Sequence, residues 1–175
     1  MSKRNYQEKG FTLLEITLAI AILAVLISVV ITSINPLKQL ADARNGQRKT
    51  DTLSLLNAVF QYSTDHNGSF PPTIQTVVAN YQDTPTTCDT NISNLVGTNE
   101  ICKSTATSCN TPQIDLSKYI ASSTPPYYIT TIPVDPQATS TGDGTGYYIA
   151  KLNGNRILVC AKLTENDVGT IGAVH

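Results

Sequence analysis

Glu15 is the residue whose placement first asks for chemistry, because it is the one charge in residues 11–34 (FTLLEITLAIAILAVLISVVITSI) of a 175-residue chain. A carboxylate in an apolar segment costs roughly 2–3 kcal/mol near mid-membrane and less toward the interface, so it calls for a cationic partner. Four cysteines, Cys88, Cys102, Cys109 and Cys160, are the second reactive set. If they lie outside the cytoplasm, an even count favours disulfides. Three pairings are open. The short Cys102 to Cys109 loop is the favoured local bridge, which joins Cys88 to Cys160. Zinc is the competing reading of these sulfurs, yet no CxxC occurs and neither His66 nor His175 is near a cysteine in sequence. Catalytic signatures are missing: there is no GxSxG, HExxH, GxxxxGK[ST] or paired acid motif, so the expectation is a protein that is not an enzyme and carries no cofactor or metal. Asn67-Gly68-Ser69 and Asn91-Ile92-Ser93 fit the glycosylation tripeptide, a pattern short enough to arise by chance.

The elements that position these residues divide the chain sharply. A mean hydropathy of -0.07 averages an apolar stretch, uninterrupted from Ile16 to Ile31 except by Thr17 and Ser28, with a polar stretch over residues 83–112 that holds 11 Ser or Thr. Counted from Phe11, the apolar run is long enough to span a bilayer as helix. The preceding MSKRNYQEKG carries Lys3, Arg4 and Lys9 against Glu8, and this basic excess holds the amino end in the cytoplasm and sends the remainder outside. No small-x-small cleavage site follows the run, which Asn35 and Pro36 close, so ordinary signal-peptidase removal is not expected. With 12 basic and 13 acidic residues the net charge is -1, too little positive charge to grip nucleic acid by counterion release.

The order Gly10-Phe11-Thr12-Leu13-Leu14-Glu15 after a short basic leader resembles the class III signal of the type IV pilin family, which includes the pseudopilins of type II secretion. The resemblance implies cleavage by prepilin peptidase between Gly10 and Phe11, N-methylation of the new Phe11 amine, and retention of the apolar helix. Loss of three basic residues and one acid in the leader takes the net charge from -1 to -3. Cleavage creates an α-amine of reference pKa about 7.7–8, itself costly to bury, so amine and carboxylate each need a partner. On a helix, residues 11 and 15 share a face one turn apart, and an acid near the amino end suits the macrodipole. The family reading is instead that Glu15 neutralises Phe11 of an adjoining subunit. Lipid tails are about as apolar as Leu, so burial of the stem in a bundle supplies little preference, and register must come from such a directional pair.

Beyond the run, residues 35–64 return to helical spacing, with Leu53, Leu56 and Phe60 as the stripe expected to face a head. Lys38, Asp42, Arg44, Arg48, Lys49 and Asp51 read mainly as a solvated face, or as contacts between stacked stems. A helix from Phe11 to about Thr64 is expected, bent or loosened at Pro36. Asp65-His66-Asn67-Gly68 ends it, and YSTDHNGSFPPT resembles the helix exit of major pseudopilins. The head, residues 65–175, is expected to hold a Thr-rich surface loop at 83–112 with no sheet of its own and a hairpin at 143–163 turning at Asn153-Gly154. IPVDP at 132–136 followed by GTGYYI is again like pilins whose heads close with a DP loop and a Tyr-rich strand. Some related pseudopilins bind calcium through loop acids; Asp143, Glu165 and Asp167 are the residues here, without the ligand spacing of a known calcium loop.

The resemblance implies an α+β fold: a leader (1–10), a membrane and filament-core helix (11–34), an amphipathic helix (35–64), and a head built on a small antiparallel sheet. It implies a filament subunit made as a single-pass cytoplasmic-membrane precursor with its head outside, and ending in a cell-surface or periplasmic filament. The implied partners are like pilins in a homo-oligomeric helix, prepilin peptidase, and a membrane platform with its assembly ATPase. The alternatives are a pseudopilin of a secretion or DNA-uptake system, or a membrane-anchored binding domain that never polymerises.

Overall fold

The computed structural model describes residues 10–74, 99–104, 109, 113–121, 125–138, 142–152, 154–165 and 171–174. The chain divides into a unit over residues 1–39 and a second over residues 40–175. In the first, α1 (Leu13–Ser33) is 21 residues of almost uninterrupted apolar sequence with no buried residue. Its own hydroxyls are satisfied within the helix: Thr17 donates to the Leu14 carbonyl at 3.0 Å, Ser28 to Val25 at 2.7 Å and Ser33 to Val29 at 2.8 Å. That local bonding makes these polar side chains inexpensive in hydrocarbon, where no water would replace the partner.

The expected single helix from Phe11 to Thr64 is two helices. Ile34 adopts extended backbone (φ -99°, ψ 125°) after α1, and α2 (Pro36–Asp65) starts afresh. Asn35 serves as the cap, its Oδ1 accepting from the Lys38 amide at 3.2 Å, and Pro36 takes the first helical position, where its missing N–H leaves nothing unsatisfied. Proline and its capping asparagine therefore carry the loosening expected at this point through to a break between two helices.

In the second unit the buried line of α2 runs Ala41, Asn45, Arg48, Thr52, Leu55, Val59 and Ser63, with Leu56 and Ala58 beside its apolar half. Steps of three and four place these on one face. Leu53, expected on that face, is 45% exposed, because the true line falls on Thr52 and Leu55, to either side of it. The sheet has the order β1-β2-β3-β4, all antiparallel: β1 (Glu100–Cys102), β2 (Gly144–Leu152), β3 (Arg156–Ala161) and β4 (Ile171–Val174). A short helix, α3 (Ser117–Ile120), precedes β2. Tyr147, Ile149, Ile157, Val159 and Ala161 pack with Leu55, Leu56 and Val59 of α2, while Tyr148, Leu152, Leu158 and Cys160 form a smaller apolar cluster. Alternation along the strands separates the two sets.

The β2–β3 hairpin lies within the expected 143–163. Leu152 pairs with Arg156, and Gly154 and Asn155 carry the left-handed backbone of the turn, φ 78° and 64°, whereas Asn153 lies outside the described residues. Residues 83–112 were expected to hold no sheet of their own; where described, they supply β1, an edge strand joined to β2. Ile114 closes its other side, donating to Glu100 and accepting from Cys102 at 2.8 and 3.0 Å. Ile101 and Cys102 are buried, so this short apolar triplet in a Thr-rich segment is core.

Candidate functional site

The amino-terminal segment is positioned by the start of α1. Thr12 is the N-cap, in extended backbone, and its Oγ1 accepts from the Glu15 amide at 3.2 Å. The cap fixes where helix begins and leaves Gly10 and Phe11 outside it. Phe11 is 78% exposed, and a Cβ added to Gly10 meets nothing within 4 Å. The Gly10–Phe11 bond therefore lies ahead of α1, between two exposed residues. The expected helical spacing of Phe11 and Glu15 is not found in the uncut chain, because the cap excludes Phe11 from the helix. Glu15 lies in the first turn, where a carboxylate complements the helix dipole. A helix of this length reaches about 31 Å, close to the thickness of a bilayer's hydrocarbon core, and Glu15 sits within its first turn, at one end of the apolar run rather than at its middle.

The head holds a second constellation, which the sequence did not disclose. Arg48 and Asp135 both have fully buried side chains; Arg48 donates through Nε at 2.7 Å and Nη2 at 3.1 Å to the two carboxylate oxygens. Arg48 also donates to Asn45 at 2.8 Å, Gln137 at 2.7 Å and Glu165 at 3.2 Å. Arg44 reaches Glu165 through Nε at 2.6 Å, and the Asn45 amide bonds the Glu165 carbonyl at 2.8 Å. Hydrogen bonding from Arg44, opposed by burial and aided by Arg48, holds the Glu165 carboxyl down at about 2. Burial opposes the Arg48 charge, but Asp135 and Glu165 more than offset it, and its pKa is raised. Beside this group Tyr147, with its ring fully buried, donates its hydroxyl to Asp51 at 2.7 Å.

Arg44, Arg48 and Asp51 were expected on a solvated face. The structure turns them toward the head, where Asp135 of the IPVDP loop and Glu165 after β3 neutralise the two arginines and the Tyr147 hydroxyl donates to Asp51. The missed signal is positional: Arg48 lies seven residues before Leu55, on the same helical face. What this arrangement does chemically is hold charges in fixed pairs. Its bidentate Arg–carboxylate geometry is rigid, and it ties the DP loop and the segment after β3 to α2.

Of the suggested calcium acids, Glu165 has both oxygens committed to Arg44 and Arg48, and Asp167 lies outside the described residues. Among the described residues no group of three or more His, Cys, Asp or Glu could hold a metal ion. Cys102 and Cys109 form a disulfide with Cα atoms 5.9 Å apart. Cys160 is also disulfide-bonded, and its expected partner Cys88 lies outside the described residues. His66 is stacked on Tyr62 with ring centroids 3.9 Å apart; His175 lies outside the described residues.

Residues 5–31 match the family model of the prokaryotic N-terminal methylation motif. The match spans the whole Gly10 to Glu15 order and most of α1. No curated protein and no solved structure matches the chain. The methylation motif and the apolar amino-terminal helix together fit the pilin and pseudopilin family, and the α+β layout of long helices followed by a four-stranded antiparallel sheet is consistent with the pilin fold.

Proposed function

We propose that this chain, a pilin-like or pseudopilin precursor by its amino-terminal motif, is a structural subunit of a type IV pilus-like filament. Prepilin peptidase cuts it after Gly10, the Phe11 amine is methylated, and an ATP-driven platform draws the anchored subunit from the membrane into a helical stack of like copies. The observation that carries this reading is the match over residues 5–31 on a helix, α1, that buries no residue of its own. Such a helix is stable only with its apolar surface covered, first by lipid and then by the stems of other copies. The exposed Gly10–Phe11 bond and a charge at Glu15 are what processing and registered stacking require.

Mass spectrometry of sheared fibres tests the proposal. The expected species begins at N-methylated Phe11. A chain that remains in membranes, never enters fibres and retains Met1 or Lys9 supports the non-polymerising anchor instead. Fibres confined to the periplasm and dependent on a secretion apparatus assign the pseudopilin alternative.

A further inference from the structure

We propose that Asn67 is the acceptor of an N-linked glycan, donated by a saccharide carried on a membrane lipid diphosphate. The tripeptide Asn67-Gly68-Ser69 is too short to persuade as sequence; the structural context that gives it weight is an accessible surface turn on an exported chain. The exposed turn is observed, and the exported head rests on the function proposed above. Residues 64–69 are all exposed at the exit of α2. Asn67 (φ 54°) and Gly68 (φ 81°) are consecutive left-handed residues, and the turn is fixed by backbone bonds: His66 N–H to Tyr62 and Ser63, Gly68 N–H to Ser63 at 2.8 Å, and Ser69 N–H to His66 at 3.0 Å. The backbone thus holds the turn without help from the side chains of Asn67 and Ser69, neither of which makes a hydrogen bond among the described residues. The acceptor amide and the hydroxyl that a transferase reads two residues later are both presented free. Asp65, two residues ahead of the acceptor and equally exposed, accepts from Tyr128 at 2.8 Å and keeps its other lone pairs for a cationic reader.

The transfer balances with one named co-reactant. Asn67 Nδ2 attacks C1 of the lipid-linked sugar, a C1–N bond forms, and the C1–O bond to diphosphate breaks. The lipid diphosphate leaves with the electron pair, and the transferase base takes one amide proton. The competing fate of an Asn-Gly pair is deamidation, in which the Gly68 nitrogen attacks the Asn67 side chain. Here that nitrogen donates to Ser63 and is held away from the attack.

An ordinary helix exit also accounts for an Asn with left-handed backbone, and the two readings part in a measurement. Peptide mass spectrometry of full-length protein from the cells that produce it should show residue 67 carrying a saccharide, with sugar oxonium ions on fragmentation. Asn67→Gly, which suits the positive φ and preserves the fold, and Ser69→Ala should each abolish that mass; Ser69→Thr should retain it. A bare Asn67, an Asn67 converted only to Asp, or sugar confined to Asn91 overturns the proposal. Protease accessibility on spheroplasts of the same cells separates the failures: a protected head overturns the exported topology together with the glycan, whereas a bare Asn67 on an accessible head overturns the glycan and leaves the filament reading standing.

Discussion

Arg48 and Asp135, 87 residues apart in sequence, meet as a two-pronged ion pair with both side chains at 0% exposure. Asp135 is held from its other side as well: its amide donates to the Thr145 carbonyl at 2.8 Å, and its carboxylate accepts the Gln137 amide at 2.8 Å. The pair joins α2 to the loop ahead of β2. Removing one partner strands the other charge without water, at a cost of about 3–5 kcal/mol. Asp135→Ala should therefore lower the melting temperature of the detergent-solubilised chain by roughly 10 °C or more. A loss of a degree or two would mean that Arg48 finds solvent, and that the clamp is not what docks the loop.

Gly146 makes that approach possible. Its φ is +82°, and a Cβ built there lies 2.9 Å from the Asp135 Cβ. Gly154, in the hairpin turn, has nearly the same φ, +78°, but nothing within 4 Å. Both substitutions to Ala incur the strain of a left-handed residue, about 1 kcal/mol or somewhat more; only Gly146→Ala adds a clash with the clamp. The expected order is a clearly larger loss of stability for Gly146→Ala, measured by urea unfolding of the two variants side by side. Equal losses would show that the loop can retreat from the added methyl.

Acid should loosen the other half of the network. Glu165 is held down to about 2, chiefly by hydrogen bonding from Arg44. A carboxyl whose folded pKa lies below its unfolded value contributes stability that is complete above the unfolded pKa, near 4.3. That contribution fades as pH falls toward the folded value. Stability should thus decline between about pH 4.5 and pH 2, and Glu165→Gln should flatten the profile in that window. The check is a melting series from pH 6 to pH 2; an unchanged slope in the variant excludes Glu165 as the group responsible.

The parts of the fold that could be read in advance are those where one residue type has one physical meaning. An apolar run of membrane length, Gly10 through Glu15, and Gly154 at a hairpin turn each speak for themselves. Arg48 does not, because an arginine on a helix face is solvated far more often than buried, and its partner Asp135 is brought to it only by the tertiary fold. β1 was hidden for a related reason: Glu100-Ile101-Cys102 is too short to show alternation, and its burial depends on pairing with β2 far along the chain. Thr12 is a local signal that the reading of a helix from Phe11 passed over, a hydroxyl three residues before an acid, and it explains why Phe11 stays outside the helix.

The same spacing gives Glu15 two possible duties, and glutamine separates them. As the third helical residue after a Thr cap, Glu15 can support the helix start through its side chain, and an amide serves that purpose nearly as well as a carboxylate. As the counter-charge to a new α-amine on a neighbouring copy, it must be ionised, and an amide cannot replace it. If charge is the duty, Glu15→Gln should fail to form filaments as fully as Glu15→Ala, with cleavage after Gly10 and helix content both unchanged. If capping is the duty, Glu15→Gln should restore filaments and only Glu15→Ala should lose them. Fibre yield, amino-terminal mass and circular dichroism on the same preparations decide between the two, and near-normal filaments from Glu15→Gln would remove the electrostatic basis for registered stacking.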